Sequence, residues 1–175
     1  MPEADRPLLF LDVDGPLNPW RAAPPHPAGY AEYRMRPTGW EAPREALRVW
    51  LDPGHGDRLL ALGCRLVWAT TWQEQANTWI GPVLGLPELP CVHWTAAGTA
   101  DPHGVHWKTR RLVRWAAGRP FAWVDDEITA PDRSWVLRHH PGPALLYPVD
   151  PAVGLVPEDF EALASWAEGT RGAGG

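Results

Sequence analysis

Asp12 and Asp14 stand one residue apart at the end of the apolar run Leu8-Leu9-Phe10-Leu11, with Gly15 directly behind them. A buried strand that ends in Asp-Val-Asp-Gly delivers two carboxylates to the carboxyl edge of a sheet, the edge where open α/β folds place their ligands. One carboxylate can attack an electrophile while its neighbour moves a proton, and together they form a hard oxygen site suited to Mg²⁺. The same residues could also serve only as an Asx-type turn closing the strand, with Gly15 at the bend.

Three further groups lie at expected strand or helix ends. Leu66-Val67-Trp68-Ala69 runs into Thr70-Thr71, whose hydroxyls and backbone N–H groups can hold a phosphate oxygen or simply cap the following helix. Lys108 stands where a helix begins, a place that disfavours a cation and therefore suggests an anionic partner, although Arg110 and Arg111 also fit a plainly basic, solvated helix. Phe121-Ala122-Trp123-Val124 ends in a second acidic pair, Asp125-Asp126. Like charges this close repel unless a cation lies between them or one is protonated, and a divalent ion shared with Asp12 resolves the conflict.

The elements that must position these groups can be read from apolar patterning. Five short apolar and β-branched runs, 8–13, 65–70, 89–94, 121–126 and 144–149, predict buried strands. Helical spacing appears over 56–62, 73–80, 107–117 and, after Pro157, 158–168; His139-His140 before Pro141 reads as a helix end. Strands alternating with helices predict an α/β fold with a mostly parallel five-stranded sheet covered on both faces, in a Rossmann-like three-layer arrangement. Between the first two strands, 16–27 is a Pro-rich loop, and 30–36 and 46–51 can pair as an antiparallel hairpin leaning over the site as a flap. Neither this insert nor 72–107 is long enough for a separate cap domain. The Gly-rich residues 169–175 are expected to be a disordered tail behind a single domain spanning 1–168.

Composition narrows the function classes. A net charge of -5 argues against general attraction to nucleic acid or anionic lipid, while leaving room for a local basic patch. The two cysteines, Cys64 and Cys91, read as buried free thiols in a reducing compartment. The absence of an apolar leader and of any membrane-length apolar stretch leads to the expectation of a cytoplasmic protein. Cys91, His93, His103 and His106 form a rival zinc set with permissive spacing that matches no familiar module. Among 12 tryptophans, Trp20, Trp72 and Trp107 lie near the motifs and could stack on bases, though most must fill core.

The ordered set, Asp-x-Asp after the first strand, Thr after the second, Lys before a helix and Asp-Asp after the fourth, resembles the haloacid dehalogenase-like (HAD) superfamily over residues 8–127. The resemblance implies that Asp12 is a nucleophile forming an aspartyl-phosphate and that Asp14 is the acid/base. It implies that Thr70, with Thr71, binds phosphoryl oxygens and that Lys108 steadies the charge of nucleophile and phosphate. Mg²⁺ would be held by Asp12, by the backbone carbonyl of Asp14, and by Asp125 or Asp126. An anionic nucleophile meeting an anionic phosphate needs such cations. Position 16 departs from the pattern, since Pro16 replaces the usual Thr or Val and cannot donate a backbone hydrogen bond. Trp68-Ala69-Thr70-Thr71-Trp72, Ala76-Asn77, Leu84-Gly85-Leu86-Pro87, Trp123-Val124-Asp125-Asp126 and Gly154-Leu155 are similar to the HAD domains associated with bacterial RNA-repair proteins. The implied activity is that of a capless Mg²⁺-dependent phosphatase acting on a phosphorylated substrate such as an RNA or DNA end. A catalytically weak domain that binds phosphorylated or nucleic-acid partners is the alternative.

Overall fold

The computed structural model describes residues 6–94, 98–99 and 101–172. Four strands, β1 (Leu8–Leu11), β4 (Arg65–Trp68), β5 (Phe121–Asp125) and β6 (Ala144–Pro148), form one parallel sheet in the order β4-β1-β5-β6. The antiparallel pair β2 (Ala31–Met35) and β3 (Leu47–Leu51) is the expected hairpin.

Strand alternation sorts the core into two clusters, one on each face of the sheet. Leu8, Phe10, Val67, Phe121 and Trp123 pack with Leu112 and Ala116 of α4 (Thr109–Ala116) and Val136 of α5 (Ala130–His139). Phe10 meets Trp115 and Phe121 edge-on at 5.5 Å in this cluster. Leu9, Leu11, Leu66, Trp68, Ala122 and Val124 face the other way. They join Leu59 of α1 (Gly54–Ala61), Ala76 of α2 (Gln75–Trp79), Leu84 of α3 (Gly81–Leu84), and Phe160 and Leu163 of α6 (Pro157–Gly172). Because both faces are covered, the central strands β1 and β5 are buried along their whole length and apolar up to Asp125, whereas the edge strand β6 is buried fully only at Leu146. Met35, Val49 and Leu51 anchor the hairpin in the second cluster. Gly56 allows α1 to approach α3: a Cβ there would overlap the carbonyl oxygen of Leu84.

The expected fifth strand is reduced to a single bridge between Trp68 and Cys91. Residues 89–94 do run beside β4, with the Trp68 N–H donating to Pro90 O at 2.9 Å and the Val92 N–H to Trp68 O at 2.8 Å. Pro90 has no N–H to extend a ladder, and both backbone groups of Leu89 are taken by the Asn77 carboxamide. The helix expected over 73–80 is likewise shorter and divided. Residues 71–74 form turns, Gln73 has φ 47°, and α2 is followed by α3, which ends on Gly85 in the left-handed conformation. Helix α4 begins at Thr109, two residues after the expected start. At the carboxyl end, α6 continues through Gly172, so residues 169–172 are helical where a disordered tail is expected; residues 173–175 lie outside the described residues. Helix α5 supplies the body for which only the His139-His140 end is legible. No helix among the described residues is long and apolar enough to cross a membrane.

Candidate active site

Strand register decides which motifs meet. Leu11 pairs with Trp68 on one side and Val124 on the other, so Asp12, Ala69-Thr70 and Asp125 emerge together at the carboxyl edge. The ladder runs one residue further on both sides, the Asp12 N–H donating to Val124 O at 3.1 Å and the Ala69 N–H to Leu11 O at 2.9 Å.

Lys108, at the amino-terminal end of α4, reaches this edge from the side. Its Nζ donates to Asp12 Oδ2 at 2.6 Å and to Asp125 Oδ2 at 2.7 Å. Lys108 is only 2% exposed, and an ammonium so deeply buried is tolerable because two carboxylates hold it. The remaining acceptors are also engaged. Asp12 Oδ1 takes the Val13 N–H at 2.8 Å, while Asp125 takes the Trp123 indole N–H at 3.1 Å and the Glu127 N–H at 3.0 Å. Half-buried Asp126 accepts from the Trp20 indole at 3.3 Å.

One oxygen from each of Asp12, Asp125 and Asp126 lies within 4.8 Å of the other two. Three carboxylates outnumber the single ammonium, and Asp12 and Asp126 respond to the crowding. Burial pushes the Asp12 carboxyl well above its ordinary range; Lys108 opposes this, and the charges of Asp125 and Asp14 add to it. Burial and Asp125 also raise Asp126. Burial pulls Lys108 down, but Asp12 and Asp125 outweigh it and keep the ammonium protonated. A hard divalent cation such as Mg²⁺ fits this all-oxygen set, since it would relieve both the crowding of charge and the proton demand.

Asp14 stands apart from the three carboxylates. Its Oδ1 accepts from the Asn18 side-chain amide at 2.8 Å and its Oδ2 from the Trp72 indole at 3.0 Å. The loop between them closes through the Gly15 N–H to Asn18 O and through the Leu17 and Asn18 N–H groups to Val13 O. No donor is needed at Pro16, whose carbonyl instead accepts from the Leu155 N–H at 2.9 Å. Thr70 is fully buried at the same edge, its hydroxyl accepting from the Trp72 N–H at 3.3 Å, whereas Thr71 is exposed. The structure therefore gathers Asp12, Lys108, Asp125 and Asp126, sets Thr70 beside them by strand register, and holds Asp14 on the adjoining loop.

The rival zinc set does not converge. His106 Nε2 pairs with Glu127 at 3.1 Å, His93 with Glu74 at 3.5 Å, and Cys91 lies against Asn77; among the described residues only Asp12, Asp125 and Asp126 form a metal-capable cluster. Of the three tryptophans singled out, Trp72 is nearly buried on Asp14 and Trp107 packs edge-on against Trp94 at 4.9 Å. Trp20 is half exposed.

Two positioning residues escaped the sequence reading. Asn18 links Asp14 to the hairpin, because its Oδ1 also accepts the Trp50 N–H at 2.9 Å. Asp132, fully buried, receives the Thr129 N–H and hydroxyl on one oxygen, and the His106 N–H and Thr109 hydroxyl on the other. The bond from the Thr129 N–H belongs to the capping box at the start of α5; the bonds from His106 and Thr109 clamp the loop and first turn that carry Lys108. The Thr-x-x-Asp spacing with Pro131 between was a readable signal of the cap, though not of its reach to α4. The Asn18 contacts leave no local sequence pattern.

A family model described as the HAD domain in Swiss Army Knife RNA repair proteins matches residues 8–160, which takes in every strand and the start of α6. No curated protein matches the chain closely enough to add to that finding. With the match spanning most of the chain and the four motif ends gathered at one sheet edge, the chain belongs to the family of HAD domains found in Swiss Army Knife RNA repair proteins.

Proposed function

We propose that this HAD domain is a Mg²⁺-dependent phosphatase that hydrolyses phosphomonoesters through an aspartyl-phosphate on Asp12, with nucleic-acid ends as its substrate class. The observation that carries the reading is the meeting of Asp12, Asp125 and Asp126 within 4.8 Å, with Lys108 bound to Asp12 at 2.6 Å. The family's association with RNA repair supports the choice of substrate.

In this reading an Asp12 carboxylate oxygen attacks phosphorus, forming the Asp12–phosphoryl bond as the ester P–O bond breaks. Protonated Asp14 gives its proton to the leaving alcohol oxygen. The resulting Asp14 carboxylate then takes a proton from water, whose oxygen attacks phosphorus, releasing inorganic phosphate and restoring both side chains. The Asn18 and Trp72 donors fix the Asp14 carboxyl for this exchange. Lys108 neutralises charge on Asp12, and the N–H groups at Thr70-Thr71 face the phosphoryl oxygens. Asp12, Asp125 and Asp126 would hold Mg²⁺, which when bound supplies electrostatic relief for the anionic nucleophile and phosphate.

The test is phosphate release from end-phosphorylated RNA and DNA, nucleotides, sugar phosphates and phosphopeptides, with Mg²⁺ or with chelator. Turnover that disappears in chelator, returns with Mg²⁺ and is absent from Asp12→Asn supports the proposal. Tight phospho-ligand binding without phosphate release identifies a binding module instead and overturns it.

A further inference from the structure

A cavity of about 370 Å³ opens beside Asp14, between the turn of the β2–β3 hairpin and the segment entering α2. Its walls are Asp14, Pro37, Thr38, Trp40, Leu47, Thr71, Trp72 and Gln75. We infer that this cavity is the leaving-group subsite and that it takes a nucleoside, with the base against Trp40; the inference rests on the phosphatase reading and extends it to the substrate's non-phosphate part.

The position follows from the chemistry of Asp14. A general acid must face the oxygen that departs, so the leaving alcohol lies on the Asp14 side of the phosphate. Asp14 and Trp72, joined through the indole N–H, form the wall shared by the phosphate edge and the cavity. The departing group therefore extends toward Trp40.

The lining then selects the chemical class. Apart from Asp14 it carries no formal charge, so it suits the uncharged base and sugar of a terminal nucleotide, with any further phosphodiester of the strand lying outside the cavity. Trp40, Trp72, Pro37 and Leu47 offer flat and apolar surface, while Thr38, Thr71 and Gln75 offer neutral hydrogen bonds. Such a mixture suits a heteroaromatic base on a hydroxylated sugar. Gln75 has a defined polarity: its Oε1 accepts the Thr38 N–H at 3.0 Å, so its amide N–H₂ remains the donor toward a base acceptor. Trp40 is preorganised, with Arg44 over its ring at 5.5 Å and the Arg44 Nη1 donating to Gly39 O at 2.6 Å. The volume lies at the small end of the range of about 300–1,000 Å³ usual for ligand pockets, room for one nucleoside rather than a folded peptide segment.

The experiment compares kcat/KM for adenosine monophosphate and for glycerol phosphate in the full chain, Trp40→Ala and Trp40→Phe. In parallel, calorimetry measures adenosine monophosphate binding, with Mg²⁺ present, to Asp12→Asn alone and combined with Trp40→Ala. The expected result is a preference for the nucleotide that falls roughly 5- to 150-fold in Trp40→Ala, mainly through KM, and is largely restored in Trp40→Phe. Binding to Asp12→Asn should weaken by a similar factor when Trp40 is removed. Equal use of both substrates with no response to Trp40→Ala, or faster turnover of a phosphotyrosine peptide than of any nucleotide, overturns the subsite. If no phosphomonoester turns over yet adenosine monophosphate binds in a Trp40-dependent way, the phosphatase reading fails and the nucleoside site stands; if the nucleotide does not bind at all, the site itself is refuted.

Discussion

The Asp126 carboxylate lies directly over the Cα of Gly15: a Cβ on that glycine would come within 2.6 Å of Asp126 Cγ. Gly15 also has φ 96°, a conformation that L side chains rarely adopt. The bend behind Asp14 and the placement of Asp126 are thus one constraint. Gly15→Ala should add about 1–2 kcal/mol of backbone strain and push Asp126 out of the carboxylate cluster. The expected outcome is at least a tenfold loss of Mg²⁺ affinity by calorimetry with the far-UV circular dichroism retained; unaltered affinity would show that Asp126 does not contribute to the cation site.

Protonation of Asp12 makes stability depend on pH in an unusual direction. In the cation-free fold, burial and neighbouring carboxylates raise its pKa from 3.8 to about 8, against the pull of Lys108. The folded chain keeps a proton that the unfolded chain gives up, so the contribution of this group to stability falls as pH rises across that window. Mg²⁺ reverses the trend by replacing the proton. In chelator, Tm should therefore drop between pH 6 and pH 8 more in the native chain than in Asp12→Asn, and Mg²⁺ should raise Tm more at the higher pH. Calorimetry in buffers of different ionisation enthalpy should also detect proton release on Mg²⁺ binding.

Removing Lys108 leaves Asp12 and Asp125 buried beside each other with no cation. Lys108→Met keeps the length of the side chain but not the charge, and breaking a buried ion pair from one side typically costs about 3–5 kcal/mol. Urea unfolding in chelator should show a loss of that order. Because Mg²⁺ can neutralise the same carboxylates, it should recover stability in Lys108→Met while leaving turnover at least a hundredfold down, separating the structural work of the ammonium from its part in phosphoryl transfer.

Asp132 touches none of the carboxylates, yet it holds the segment that delivers Lys108. Asp132→Ala removes four hydrogen bonds, two from backbone N–H groups and two from hydroxyls, at a destabilisation on the order of 3 kcal/mol. If it acts by positioning Lys108, kcat should fall while KM and Mg²⁺ affinity stay close to native, and Asp132→Asn should recover part of the rate. Equal losses in kcat and in Mg²⁺ affinity would mean a general loosening of the sheet edge instead.

The sheet, the hairpin and the motif ends were legible because they are local. Continuous apolar runs reveal strands buried on both faces, alternation over Leu47, Val49 and Leu51 reveals the hairpin, and Asp, Thr and Lys at element ends reveal where chemistry can sit. The limits of those elements were less readable wherever a side chain competed for backbone groups. Asn77 takes both polar groups of Leu89 and ends what apolar content alone would make a fifth strand. Glycine in the last residues suggested disorder, yet α6 carries through Gly169 to Gly172, an extension of a helix already anchored by Phe160, Leu163 and Ala167.

By itself, the order of residues along the chain determined the chemical inventory: which carboxylates, hydroxyls and ammonium stand at the ends of strands and helices. Only the tertiary structure decided how they combine. Parallel register put Asp12 level with Asp125, Asp132 tied down the residues on either side of Lys108, and the hairpin turn brought Trp40 into the same cavity wall as Trp72. These relations join residues far apart in sequence, through hydrogen bonds and close approaches that form only when the layers pack, so no periodicity or local motif encodes them.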